Sequence, residues 1–358
     1  MRYRTLWTIL TLFAVALLLN SCRDNEYLWA SIKGHWDLMS RARPIETVLA
    51  EEQTPPEVRT QLRKVLQLRQ FAVAELNLPD NGSYHDYADL GRPYAVWNLV
   101  AAPELSLELN QWCFPVVGCV TYRGYFQEEA ARTMAQSLDA QGFDVDVYGV
   151  KAYSTLNWFD DPVLNTFLDN DEIRLAALLF HEMAHQVLYI KDDTAFNESF
   201  AKTVEMEGLR RWFLASHTPE LWAECQRRDE RKEIFQAFLV DVRARLQEAY
   251  RFGGDNDQKR LAKQAILDQA RIDYQQLKEK MGGFDGFDRW MKRGLNNARL
   301  SSVGTYHDLV PAFQELLRQV GGDLPAFYVA VTEMGALPKT ERLARLQSLS
   351  PQLQAALD

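Results

Sequence analysis

Cysteine is scarce in this chain: four in 358 residues, with no C-x-x-C pair. That excludes a cysteine-built structural zinc site and a dense disulfide scaffold. Cationic excess is also lacking. Forty Lys and Arg stand against 49 Asp and Glu, a formal charge of −9. Without a basic surface to neutralise phosphates, the chain is a poor nucleic-acid binder. The densest basic stretch, Arg227-Arg228 to Arg231-Lys232, is interleaved with Asp229, Glu230 and Glu233 and reads as a solvated helix face. No internal repeat is found. The N-terminal apolar run, Leu6 to Leu19, has about 14 residues, fewer than the roughly 20 that a membrane-spanning helix needs.

That short run has its own reading. Arg2 and Arg4 precede it and Asn20-Ser21-Cys22 follows it. A charged start, a short apolar segment and a small residue before Cys form a lipoprotein signal peptide. Residues 1–21 are then removed and the Cys22 thiol is acylated; an uncleaved anchor is the competing reading. The expected product is a cell-envelope lipoprotein, periplasm-facing and joined to the membrane by an N-terminal lipid anchor. Arg23, rather than Asp, after the Cys fits outer-membrane sorting in a Gram-negative cell. Cys113 and Cys119 flank Phe-Pro-Val-Val-Gly and could pair in an oxidising compartment or remain two thiols. Cys225 reads as a packed thiol.

What the chain does have is His181-Glu182-Met183-Ala184-His185, set in an apolar stretch from Leu175 to Ile190. Helix positions i and i+4 share one face, so both imidazoles can reach one metal ion. The pattern is H-E-x-x-H, two zinc ligands with a Glu beside them as general base. Two histidines and a carboxylate on an apolar helix need partners, because unpaired buried polar groups are costly. One Zn²⁺ per chain is the expected cofactor.

A catalytic zinc takes three protein ligands and keeps a position open. Glu198 is the best third ligand. The first helix is expected to run to about Ile190. Lys191-Asp192-Asp193 reads as a solvated turn, and Thr194 caps a second helix from about Ala195. Glu198 then faces back from the first turn or so of that helix. Ala201 and Gly208 permit close approach. Glu205, two turns beyond Glu198, is read as the carboxylate orienting a histidine. Glu182, about 100° round the helix from His181, flanks the metal axis and serves as proton shuttle.

At these residues the chain resembles the gluzincins: HEMAH is followed by Asn197-Glu198-Ser199-Phe200-Ala201, the N-E-x-x-A pattern. It is similar to a bacterial family of predicted zinc aminopeptidases, typically lipoproteins. Tyr122-Arg123-Gly124-Tyr125-Phe126, Ala152-Tyr153-Ser154-Thr155-Leu156 and Trp158-Phe159-Asp160-Asp161-Pro162 look like that family too. The resemblance implies an aminopeptidase acting on peptides. Gluzincins hold the substrate backbone on an edge strand before the zinc helix, and Ala152 to Trp158 occupies that place, as an exposed edge or a buried central strand. They stabilise the oxyanion with Tyr or His; Tyr306, next to His307, is chosen, with a core tyrosine as the alternative. Asp160 and Asp161 lie where a substrate amine could bind, and neither is assigned. Two departures stand out. Twelve residues separate His185 from Glu198, fewer than in thermolysin-like enzymes, and Lys202 stands where those carry an Asp. A zinc endopeptidase or amidase, or a non-catalytic envelope scaffold with a structural zinc, are the competing functions.

The expected fold class is α+β, predominantly helical: a gluzincin-like core with a small sheet, flanked by N- and C-terminal helices. Residues 22–105 read as mainly helical, with an amphipathic helix from Pro55-Pro56 to about Leu78. Residues 106–215 carry the sheet and the zinc helices. Strands are expected at Cys119 to Phe126, Phe143 to Val147 (half-exposed, from its alternation) and Val150 to Trp158, and a helix at Gln127 to Gln141. Asp169 and Glu172 resemble a capping box at the start of the first zinc helix. Residues 216–358 are nearly all helical, with a long hairpin broken by Gly253-Gly254 and Gly282-Gly283. The oligomeric state is not legible.

Overall fold

The computed structural model describes residues 26–114, 118–155, 159–252, 254–303 and 309–350. Cys22 with its signal segment, Tyr306 and His307 lie outside the described residues, as do residues 156–158 of the expected edge strand. In chain order the elements are α1 (residues 26–40), β1 (Arg43–Pro44), α2 (Ile45–Ala50), α3 (Pro56–Leu76), β2 (Asp86–Ala88), β3 (Val96–Pro103), β4 (Trp112–Phe114), β5 (Gly118–Val120), β6 (Arg123–Tyr125), α4 (Glu128–Asp139), β7 (Phe143–Val150), β8 (Val163–Leu164) and α5 (Asn165–Leu168). Then follow α6 (Glu172–His185), α7 (Thr194–Ala215), α8 (Pro219–Phe252), α9 (Asn256–Lys280), α10 (Asp288–Lys292), α11 (Asn297–Ser302), α12 (Val310–Gln319), α13 (Leu324–Gly335) and α14 (Lys339–Leu349). The chain is thus α+β and predominantly helical.

Local chemistry sets the boundaries. Pro56 opens α3, where its missing N–H costs nothing, and Asn77 in the left-handed region closes it. Between α8 and α9, Asp255 and Gln258 form a reciprocal capping box, satisfying two of the donors that a helix start leaves unpaired. The long hairpin is therefore two continuous helices with the break where the glycines stand.

The largest core gathers α3, α6 and α7 with α12 to α14. Leu62, Phe180, Phe200, Phe313 and Phe327 are fully buried in it. The three-stranded antiparallel sheet β6-β3-β7 carries a second layer. Leu99 and Ala101 of β3 pack with Ala135 and Leu138 of α4. Val100 and Ala102 pack with Ala298 of α11 on the other face. β3, in the stretch read as mainly helical, is therefore a strand covered on both faces, and such a strand is a plain apolar run rather than an alternating one.

Three further strand expectations change. Cys119 to Phe126 is not one strand but β5 and β6, in different sheets; Cys119 instead pairs with Cys113 across the β4–β5 hairpin, where the two are disulfide-bonded. The alternating run continues to Val150 as β7, and its polar face docks the C-terminal half rather than water. Asp144 accepts from Lys263 Nζ at 2.7 Å and from the Asn297 backbone at 2.7 Å. Asp146 pairs with Arg293. Residues 151–155 form no strand. Their polar groups are taken locally: the Thr155 backbone N–H and hydroxyl both donate to Asp161, and Thr166 donates to the Lys151 carbonyl. Among the described residues, no helix is long and apolar enough to cross a membrane.

Candidate metal centre

Helix α6 starts two residues after where the capping-box pattern placed it. Asp171, not Asp169, is the N-cap, accepting from the Arg174 N–H; Asp169 pairs with Lys151 at the surface. The helix ends at His185 rather than near Ile190. The apolar residues that follow, Val187, Leu188 and Ile190, pack onto the core outside the helix, so the apolar run overstates its length. Asn197 holds the connecting loop: its carboxamide accepts from the Ile190 N–H and donates to the Ile190 carbonyl, both at 2.8 Å. At 1 % exposure this two-point clamp fixes the loop against the first turn of α7. It thereby places the next residue, Glu198.

Asp193, expected to be solvated, is buried. It occupies the N-cap position of α7 without capping it; its carboxylate is bound by Arg342 of α14 at 2.7 and 3.0 Å. Further along, Gly208 lets α7 close onto its neighbours. A Cβ there would lie 2.7 Å from the Phe180 ring and 2.8 Å from Leu76. Its lack of a side chain sets how close α6, α7 and α3 approach.

The result is a convergence. His181 Nε2 lies 3.2 Å from one Glu198 oxygen and His185 Nε2 3.5 Å from the other. The ligand-type atoms of the three residues all fall within 4.8 Å of one another. Tetrahedral zinc, with bonds of about 2.0–2.2 Å, requires ligand atoms about 3.3 Å apart, so this donor set suits that ion. The outer face of His181 is occupied: its Nδ1 meets Glu205 at 3.2 Å. With Nδ1–H donated to Glu205, Nε2 carries the lone pair that a metal takes. Behind Glu205 the charges alternate, with Lys202 Nζ 2.8 Å from Glu205 and 2.7 Å from Asp229. Lys202 thus neutralises the carboxylate that orients the histidine.

The electrostatics follow from this crowding. Burial opposes charge on His181, but hydrogen bonds to Glu198 and Glu205 outweigh it and hold the imidazolium up to about 10. Burial and the neighbouring His181 push His185 down to about 4. Burial raises Glu205, yet Lys202 and His181 bring it down to about 2. Glu182 goes the other way. Burial pushes it up to about 7; His181 opposes the rise, and Glu198 and Asp161 add to it. Glu182 is not among the three converging residues, and its carboxyl stands ready to exchange a proton near neutral pH.

The wall beside Glu182 was not foreseen. Arg69 of α3, 6 % exposed, gathers the 79–84 loop through Asp80 at 2.8 Å and the carbonyls of Asn81 and Ser83. That loop is joined to Asp161 twice, by the Tyr84 N–H to its carbonyl at 2.7 Å and by the Ser83 hydroxyl accepting its N–H at 3.2 Å. Tyr84 is buried with φ of +64°, a conformation in which a bulky residue is an outlier. Burial, then the negative charges of Glu182 and Asp161, raise its hydroxyl well above the usual range. Asp161 is itself buried, and its carboxylate is filled by Ser154 and Thr155. No sequence pattern marks Tyr84. Tyr189, four residues after His185 and beyond the helix end, lies 6.1 Å from it between rings and is half-exposed.

The chain matches, over residues 26–346, the model of the family described as "Putative aminopeptidase", and it belongs to that family. Neither a curated protein nor a solved structure matches it.

Proposed function

We propose that the chain is a zinc-dependent peptidase with a gluzincin-type core, that it acts as an aminopeptidase, and that it is held at the cell envelope by a lipid on Cys22. One observation carries the reading: His181, His185 and Glu198 converge while Glu182, with a proton-exchange range near neutrality, stands beside them outside that cluster. Family membership supports the peptidase chemistry and the preference for a free amino terminus. Zinc, when bound, would supply a Lewis acid for the scissile carbonyl and acidify a water beside it.

The remaining roles belong to the chain. His181 and His185 offer Nε2 and Glu198 its carboxylate. Glu205 keeps His181 in the tautomer and orientation this needs, and Lys202 keeps Glu205 ionised. Glu182 accepts a proton from the attacking water and returns it to the leaving amine. Burial raises its carboxyl to about 7, close to neutral pH, where one group can serve first as base and then as acid. Tyr306 is proposed to stabilise the oxyanion, to be tested with Tyr306→Phe. A lipid on Cys22 would face the site to the periplasm, at the outer membrane of a Gram-negative cell.

The test pairs zinc content with turnover of peptides carrying free and blocked amino termini. Glu182→Gln keeps size and hydrogen bonding but cannot take the proton, so zinc should stay and the rate fall by about 10²–10⁴. Unchanged turnover with zinc retained would remove Glu182 as the base. Cleavage of blocked peptides alone would leave a peptidase without the aminopeptidase specificity.

A further inference from the structure

Helix α1 has two unlike faces. The inner face packs on β6 and the residue after it. Tyr27 meets Tyr125 edge-on at 5.4 Å, the Arg123 guanidinium stands 3.8 Å from the Tyr27 ring, and Leu38 is fully buried. Gly34 lies against Phe126 so closely that a Cβ would meet the ring at 2.2 Å. The outer face carries Trp29, Ile32 and Trp36, spaced three and four residues apart and so on one stripe. These side chains are 71 %, 48 % and 67 % exposed, with Leu28 beside them at 38 %. Single exposed apolar residues are ordinary; a contiguous stripe with two tryptophans marks a contact surface.

We propose that this outer face of α1 lies in the interfacial layer of a phospholipid bilayer, as a second membrane contact beside the lipid anchor. The proposal rests on the reading of Cys22 as the anchored residue. Only Arg23-Asp24-Asn25 separate Cys22 from Glu26, the first described residue of the helix. An extended chain covers at most about 3.6 Å per residue, so Glu26 stays within roughly 15 Å of an acylated Cys22. The stripe is thus confined to the neighbourhood of the headgroups. Its composition suits that layer, since tryptophan rings with one apolar body and one N–H donor concentrate there. A helix with an apolar stripe, too short and too polar on its other sides to span, lies in the plane of the interface. Beside that stripe His35, three residues from Ile32, turns inward and meets Phe159 with tilted rings 4.8 Å apart, two residues before Asp161.

The full chain, produced with its leader, is reconstituted into phosphatidylcholine–phosphatidylglycerol vesicles with and without brominated acyl chains, which quench tryptophan at contact range. Trp29 and Trp36 are two of the nine tryptophans in the full chain, one of which, Trp7, leaves with residues 1–21. Brominated lipid should quench a component of the emission that is absent from Trp29→Phe/Trp36→Phe. Equal fractional quenching in the wild type and that variant overturns the proposal. Mass spectrometry of the mature N-terminus reads the anchor separately: an unmodified Cys22 with the quenched component intact removes the anchor and keeps the docking face. Sedimentation of Trp29→Ser/Trp36→Ser closes the alternative occupant. A wild-type dimer that this variant converts to monomer would assign the stripe to a second copy and overturn the bilayer contact. Far-UV circular dichroism confirms that each variant keeps its helices.

Discussion

Lys202→Met is the sharpest perturbation of the charge row behind the candidate metal centre. The ammonium bridges Glu205 and Asp229 at 2.8 and 2.7 Å, with side-chain exposures of 11 % for Lys202, 12 % for Glu205 and 23 % for Asp229. Removing one partner of a buried pair leaves an uncompensated charge and costs about 3–5 kcal/mol. The proton equilibrium gives the same scale independently. Glu205 falls from 4.5 to about 2. At 1.36 kcal/mol per pH unit that is about 3 kcal/mol, shared between Lys202 and His181 after burial has been offset. A depressed carboxyl contributes stability that is complete above its unfolded value and lost as pH falls through the folded one. The wild type therefore holds this contribution above 4.5 and loses it toward about 2. Without Lys202 the folded carboxyl rises, and the Lys202 share of the contribution is lost at neutral pH while the His181 share remains. Urea denaturation of chelator-treated wild type and variant should show a deficit of about 3 kcal/mol at neutral pH that narrows as pH drops below 4.5. A deficit below about 1 kcal/mol, the scale of an exposed pair, would refute the reasoning. So would one of constant size across that range.

Glu205→Ala should leave His181 unsupported and weaken zinc binding about 10- to 100-fold, measured by competition with a chelating dye. An unchanged affinity would mean that His181 is oriented by something else. Gly208→Ala places a methyl within 2.8 Å of both Phe180 and Leu76. It should destabilise the chain by about 1–3 kcal/mol in thermal denaturation, and the expectation fails if stability rises as for an ordinary exposed helix glycine. Arg342→Leu strands the buried Asp193; Lys339 remains at 3.8 Å, so the loss belongs at the lower end of about 3–5 kcal/mol. Asp193→Asn on top of it should recover part of that loss, and no recovery would locate the cost in packing instead.

What could be read from the sequence was what is local. The i, i+4 histidines and a return of twelve residues need one helix, one turn and a second helix, and His181, His185 and Glu198 do lie together. What could not be read arrives from afar. Asp193 looked like a turn residue in water because its partner, Arg342, is 149 positions away. Tyr84 reaches the Glu182 neighbourhood through a loop organised by Arg69, and no periodicity or motif reports that. β3 was missed for another reason. Leu99-Val100-Ala101-Ala102 has no alternation because α4 and α11 cover opposite faces, and a short apolar run of that kind does not distinguish strand from helix. The helix end near Ile190 failed by the same logic, since apolar residues outside a helix can be buried as well as those within it.

The odd lysine at position 202 then finds its physical place. Thermolysin-like enzymes carry an Asp four residues after the glutamate ligand, whereas in this chain the residue that meets His181 Nδ1 is Glu205, seven residues on. Both positions fall on the α7 face that carries Glu198, and Glu205 has the longer reach. Moving the acid frees the intermediate position, but a second buried carboxylate on that face would repel Glu198. Its own burial also favours the protonated form, which could no longer accept from the imidazole without losing charge. A cation at 202 removes both difficulties, holding Glu205 at about 2 so that it remains an acceptor throughout the neutral range. Asp229 of α8 then balances that cation in turn. The row Glu198–His181–Glu205–Lys202–Asp229 alternates in sign, or in donor and acceptor, at every step. That alternation lets five polar side chains share a protein interior. It also ties the orientation of His181 to α8, an element that contributes none of the three converging side chains.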